Sequence, residues 1–257
     1  MSNVLVEKRG AITIITLNRP EKRNAINLET AKQLREAWLA FEADDDARVG
    51  ILSGGERVFS AGGDLNETEA LMGRATSEEG PLGIGRTLLT KPTIAAVAGY
   101  AVAGGFELAL WCDLCIADET AIFGFFERRF GMPLLNGGSK RLYEIVGLRR
   151  ALDIIMTGRA VKADEAYRIG LVNEVVPAGK ALERALEIAE LLASFPHQLC
   201  LRNDRRMVYE NMHLDMRAAL INEGRIAQET IDSGEPFRGS AKFREGHGRS
   251  GQSVKHD

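Results

Sequence analysis

GYAVAGGFELALWCDL, residues Gly99–Leu114, is the stretch on which the fold turns. Pro92 breaks the run before it. Thr93–Ala98 (TIAAVA) predicts a strand, Gly99–Gly105 a turn, Phe106–Trp111 the start of a helix and Leu114–Ala117 the next strand. Short strands and helices in such close alternation predict an α/β core. Inside the helix stands Glu107, a carboxylate among apolar neighbours, just after the adjacent glycines Gly104 and Gly105. Such a group is costly to bury unless it is paired, hydrogen-bonded or needed for chemistry.

Working outward, Ala11–Leu17 (AITIITL) is β-branched and predicts a strand after a turn at Arg9-Gly10. Asn18–Asn27 is a polar connection, and Asn27 caps a helix in which Leu28, Ala31, Leu34, Trp38 and Phe41 recur at helical spacing. Asp44-Asp45-Asp46 ends that helix, and Val49–Leu52 is a short strand running into the glycine-rich SGGERVFSAGGDL. Residues 66–90 are polar, with a helical run toward Leu88 and Leu89. Further helices are expected over Arg149–Met156, Lys162–Ile169 and Ala178–Phe195, with LVNEVVP a strand between the last two. After Pro196 one long helical stretch reaches about Ile231, and the tail from Asp232 has little capacity to form a core. Residues 1–195 are read as the core and 196–257 as a helical appendage.

The chain of 257 residues is 45% hydrophobic, enough for a real core, and its net charge of −3 offers no general field for nucleic acid or anionic lipid. Three scattered cysteines make no disulfide framework, and the N-terminus has no apolar leader. No apolar run approaches the roughly 20 residues of a membrane span. A soluble, cytoplasmic protein is expected, with neither nucleic acid nor membrane as partner. Cys112 and Cys115 resemble a redox pair but sit where a helix runs out into a strand, which favours packing thiols. Arg202, Arg205 and Arg206 read as a solvated or intersubunit face. His197, His213, His247 and His256 lack metal-site spacing.

Three stretches can converge on one site. In FSAGGDL (Phe59–Leu65), Gly62 and Gly63 let the backbone turn and present N–H groups, although a plain loop reads equally well. Gly104 and Gly105 open a helix whose first N–H groups are unpaired and sit at the positive dipole end. One N–H from near Gly63 and one from near Gly104 would form an oxyanion hole, each donor lowering a barrier by about 2.7–4 kcal/mol. In Ala121–Leu142 (AIFGFFERRFGMPLLNGGSKRL), Glu127 follows Phe123, Phe125 and Phe126; taken alone it reads best as an ion pair with Arg128, Arg129 or a neighbour.

NRPEKRNAIN, FSAGGDL, KPTIAAVAGYAVAGGFELALWCDL, the glutamate after FG and TGR with GLVNEVVP follow one another as in the crotonase superfamily, the enoyl-CoA hydratase/isomerase family, which this chain resembles closely over residues 3–200. The resemblance implies a spiral of repeated ββα units with a C-terminal helical region, assembled as a homotrimer or a hexamer of two trimers. It implies an acyl-CoA substrate and no cofactor beyond that coenzyme A. The enolate of the thioester would be held by the N–H groups of Gly63 and Gly104. Ala61–Leu65, including Asp64, would line the coenzyme; Arg23 and Ala25 would flank it, with Arg23 near its phosphates. Both hydratase glutamates have counterparts, Glu107 to activate water and Glu127 to share it and exchange a proton at the α-carbon. Burial is expected to raise the pKa of both.

Where the family has Gln-Pro before the second glutamate, this chain has Phe125-Phe126, and Met132–Asn136 replaces the usual Ile-Pro-Gly-Ala. These changes reshape the acyl pocket. Phe243, with Lys242 and Arg244, would complete a neighbouring subunit's coenzyme site. The function expected is hydration of a 2-enoyl-CoA to a 3-hydroxyacyl-CoA. Δ3,Δ2-Enoyl-CoA isomerisation and non-catalytic acyl-CoA binding are the alternatives.

Overall fold

β1 (Val4–Arg9) and β2 (Ile12–Leu17) form an antiparallel hairpin in the computed structural model, which describes residues 2–249. His256 lies outside the described residues. α1 (Leu28–Ala43) starts where Asn27 accepts the Thr30 N–H at 2.9 Å, the N-cap expected there. β3 (Val49–Ser53), β4 (Val58–Ser60) and a short α2 (Thr68–Met72) follow, then β5 (Thr93–Val97), β6 (Tyr100–Val102), α3 (Gly104–Trp111), β7 (Leu114–Asp118) and β8 (Ile122–Gly124). α4 (Gly138–Val146), α5 (Leu148–Thr157), β9 (Val161–Lys162), α6 (Ala163–Arg168), β10 (Glu174–Val176) and α7 (Ala181–Ser194) lead to α8 (Gln198–Asn211), α9 (Met216–Asp232) and α10 (Glu235–Arg244).

Successive strand pairs divide between two sheets. β3, β5 and β7 enter a six-stranded sheet ordered β1-β2-β3-β5-β7-β10; β4, β6 and β8 enter a four-stranded sheet ordered β4-β6-β8-β9. Beyond the β1 hairpin the larger sheet is parallel throughout. β3 and β5 are buried at every position, as parallel strands covered on both faces must be. One face packs under α7, whose Ala181, Ala185 and Ala189 allow close approach to Ile51, Ile94 and Ile116. The other holds the main core, including Trp38, Phe41 and Trp111 in edge-on contact. This is the mixed α/β fold with a helical C-terminal region that the family resemblance implies.

Four local expectations change. The turn over Gly99–Gly105 contains β6, which is too short and glycine-flanked to show periodicity but pairs with both β4 and β8. No helix forms toward Leu88-Leu89; the Arg86 guanidinium instead binds the carbonyls of Ala75, Ser77 and Leu135. The long helix after Pro196 is two, because Asp215 caps a fresh start by accepting the Ala218 N–H. The tail forms α10, whose buried Glu235 accepts the Leu199 and Cys200 N–H groups and so caps α8 from a distance.

The basic cluster on α8 also divides. Arg206 faces Glu210 and Glu229 at the surface, whereas Arg205 turns inward to the Leu89 carbonyl and Asp113. Cys112 and Cys115 are buried, free thiols, pushed up by desolvation, Cys115 to about 12. Among the described residues no helix is long and apolar enough to cross a membrane.

Candidate active site

The polar connection Asn18–Asn27 is sewn onto the FSAGGDL loop. Buried Asn24 donates to the carbonyls of Gly54 and Val58, the Arg23 carbonyl accepts the Ala61 N–H, and Ser60 donates to the Asn24 carbonyl. Ile26 then bridges Gly63 in parallel, accepting the Asp64 N–H and donating to the Gly62 carbonyl. That pairing consumes the groups on either side of Gly63 and turns the Gly63 N–H away from Ile26. Asp64 is held by Arg19 at 3.0 Å and by Asn66; burial opposes ionisation, but these donors keep its carboxyl below the usual range.

α3 enters the site through Ala103, which sits at φ 52, ψ −129 and whose carbonyl accepts the Phe106 and Glu107 N–H groups. Gly62 (φ +88) crosses close to it: a methyl there would stand 2.7 Å from the Gly104 N, and one on Gly104 would stand 3.6 Å from the Gly63 N. The two amides are therefore neighbours, and among the described residues neither donates a hydrogen bond. Paired free amides at the start of a helix can hold negative charge developing on a carbonyl oxygen.

Glu107 is 3% exposed and accepts three hydrogen bonds: Oε1 from the Asn136 N–H (2.8 Å) and the Gly138 N–H (2.9 Å), Oε2 from Asn136 Nδ2 (3.0 Å). A methyl on Gly138 would stand 2.8 Å from Glu107 Cγ, so only glycine admits this approach. Glu127 lies in a single 3-10 turn, Phe126–Phe130. The ion pair expected for it is not made among the described residues: Arg128 donates to the Met132 carbonyl and Arg129 to that of Gly158. Its Oε2 is buried without a hydrogen-bond partner. Desolvation, reinforced by the nearby Glu107 charge, pushes its carboxyl up to about 7.

A cavity of about 370 Å³ joins Gly63, Gly104, Glu107 and Glu127. Ala25, Ala61, Asp64 and Leu65 line it as well, and Arg23 does not; its neighbour Lys22 does. Leu71, Leu82, Phe130, Met132 and Leu135 make the wall apolar. Sequence reasoning missed Leu82, Lys22 and Asn136; only the departure at Met132–Asn136 signalled the last. A carboxyl poised near neutrality, a second carboxyl on the same cavity and two neighbouring free amides are the parts needed to move a proton next to an activated carbonyl.

Residues 7–247 match the family model described as enoyl-CoA hydratase/isomerase. The "Probable enoyl-CoA hydratase" of Rhizobium meliloti is 39% identical over 242 residues, 93% of this chain and 94% of its own. The short-chain-enoyl-CoA hydratase of Clostridium acetobutylicum is 37% identical over 238 residues, 91% of each. The crystal structure of an enoyl-CoA hydratase from Mycobacterium tuberculosis superposes with a TM-score of 0.90 at 34% identity, covering 95% of this chain and 96% of that one. The chain belongs to the enoyl-CoA hydratase/isomerase family.

Proposed function

We propose that the protein is a cytoplasmic enoyl-CoA hydratase that adds water across the C2–C3 double bond of a 2-enoyl-CoA to give a 3-hydroxyacyl-CoA. The thioester oxygen accepts the N–H groups of Gly63 and Gly104, so that charge arriving there as an enolate is stabilised. Glu107 orients the water at C3 and takes its proton. Glu127, protonated near neutral pH, delivers a proton to C2 and shares the water. The reaction needs no cofactor beyond the coenzyme A carried by the substrate. Apolar side chains along the cavity favour an apolar acyl chain, and Ala25, Ala61, Asp64 and Leu65 flank the coenzyme, with Lys22 and Arg23 toward its phosphates.

The observation that carries this reading is the unequal pair of carboxyls on one cavity: Glu127 with its Oε2 unpartnered and raised to about 7, Glu107 held by three donors. Residues 1–195 carry the chemistry. Residues 196–257 serve subunit association in a trimer or hexamer, supported by exposed Val208, Met212, Met216, Leu220 and Ile221 on α8, α9 and their connection. The test is loss of the enoyl-thioester absorbance across short, long, branched and aromatic enoyl-CoAs, with wild type, Glu107→Gln and Glu127→Gln compared. Turnover abolished by either change supports the two-carboxylate hydratase. Turnover of 3-enoyl-CoA alone would replace it with an isomerase, and tight binding with no turnover with a binding protein.

A further inference from the structure

Asn136 is 3% exposed, and both ends of its side-chain amide are engaged: Nδ2 donates to Glu107 Oε2 at 3.0 Å, and Oδ1 accepts the Leu82 N–H at 3.2 Å. We propose that Asn136 is a positioning residue that fixes which lone pair of Glu107 faces the reacting water, a role that rests on the hydratase reading above. A carboxylate offers about four acceptor positions. Two on Oε1 are taken by backbone N–H groups and one on Oε2 by Asn136, which leaves a single direction on Oε2 for water.

The amide cannot turn over, since a flip would set oxygen against the Glu107 carboxylate and NH₂ against the Leu82 N–H. Its backbone is fixed too, because the Asn136 carbonyl accepts Arg141 Nη1 at 2.7 Å. One side chain thereby couples Glu107 to Leu82, a residue of the cavity wall. The charged groups around it are Glu127 on the same cavity, Arg141 from α4, Arg86 bound to the adjoining Leu135 carbonyl, and Lys22 and Asp64, which also line the cavity.

The experiment is a reciprocal swap. Hydration rate and thermal midpoint are measured from about pH 5 to about pH 9 for wild type, Asn136→Asp, Glu107→Gln and the double variant. In N136D two carboxyls meet where one donor stood, and both cannot stay ionised cheaply. A shared proton keeps its midpoint close to that of wild type on the acid side. The midpoint then falls by about 2–4 °C or more as pH rises, and turnover drops about 100-fold at the alkaline end and recovers toward acid. In N136D/E107Q the glutamine amide donates to the carboxylate introduced at position 136 and keeps its oxygen on the backbone N–H groups. The midpoint returns toward the wild-type value and keeps only the pH dependence that Glu127 imposes, while turnover stays lost.

The inference is overturned if N136D tracks wild type in both profiles, or if the double variant is no more stable than E107Q alone. A wild-type protein that hydrates no enoyl-CoA would remove the hydratase reading and the oriented water with it. The swap would still report whether Asn136 holds Glu107, so the two failures are distinguishable.

Discussion

Arg205 on α8 grips Asp113, at the corner between α3 and β7, with two prongs: Nε lies 2.8 Å from Oδ2 and Nη2 lies 2.8 Å from Oδ1. Asp113 also accepts from the Thr93 N–H and hydroxyl and from the Tyr209 hydroxyl at 2.6 Å. α8 is thus bolted to the corner that leads from α3 back into the sheet. Asp113→Ala leaves the guanidinium with only the Leu89 carbonyl and the phenol without its acceptor, and should cost about 3 kcal/mol in urea denaturation. Arg205→Ala should cost less, because Asp113 keeps Thr93 and Tyr209.

Glu127 makes stability depend on pH in a direction that can be worked out. Its carboxyl sits at about 7 in the fold and near 4.5 when free. Below the lower value both states hold the proton and nothing is lost. Between the two, the unfolded chain releases its proton first, so stability falls as pH rises, by up to about 3 kcal/mol once the upper value is passed. Glu127→Gln should therefore match wild type near pH 4 and exceed it near pH 8 in thermal midpoint, while losing turnover. The wild-type rate should decline above about pH 7 as Glu127 loses its proton.

Gly62 keeps the two free amides open. Gly62→Ala introduces a methyl 2.7 Å from the Gly104 N at a backbone angle, φ +88, that alanine resists. Steady-state kinetics should show kcat reduced by about 100- to 1,000-fold, the worth of one oxyanion donor, with a much smaller change in KM.

Lys22 lines the cavity and Arg23 does not. Lys22→Ala should raise KM for an enoyl-CoA by up to about fivefold, as expected for an exposed charge pair, and leave kcat unchanged. Arg23→Ala should have the smaller effect. The order of the two KM values is the readout.

Much of the strand–helix order was legible because its signals are local. The Asn27 cap, the apolar period from Leu28 to Phe41 and the β-branched strands all lie within single windows of sequence. Glu107 stood out as a charge in an apolar run, and Glu127 only through the family resemblance, since Arg128 and Arg129 beside it suggested an ion pair. What was not legible depends on partners far along the chain. β6 exists because β4 and β8 flank it, and α10 is held by Glu235 reaching amides 35 and 36 residues away. The role of Arg205 needed Asp113, 92 residues earlier. Asn136 looked like a simple departure until Glu107 and Leu82 were found at either end of its amide.

Ala103 stands at φ 52, ψ −129, a conformation that a residue with a β-carbon resists by roughly 1–3 kcal/mol. Its N–H is anchored to the Gly124 carbonyl at 2.9 Å and its own carbonyl to the first turn of α3, so the surrounding fold keeps it there. The energy of aiming the Gly104 N–H is thus supplied once, when the chain folds. Water solvating an anionic oxygen would have to turn its dipoles afresh each time; this backbone arrives already turned.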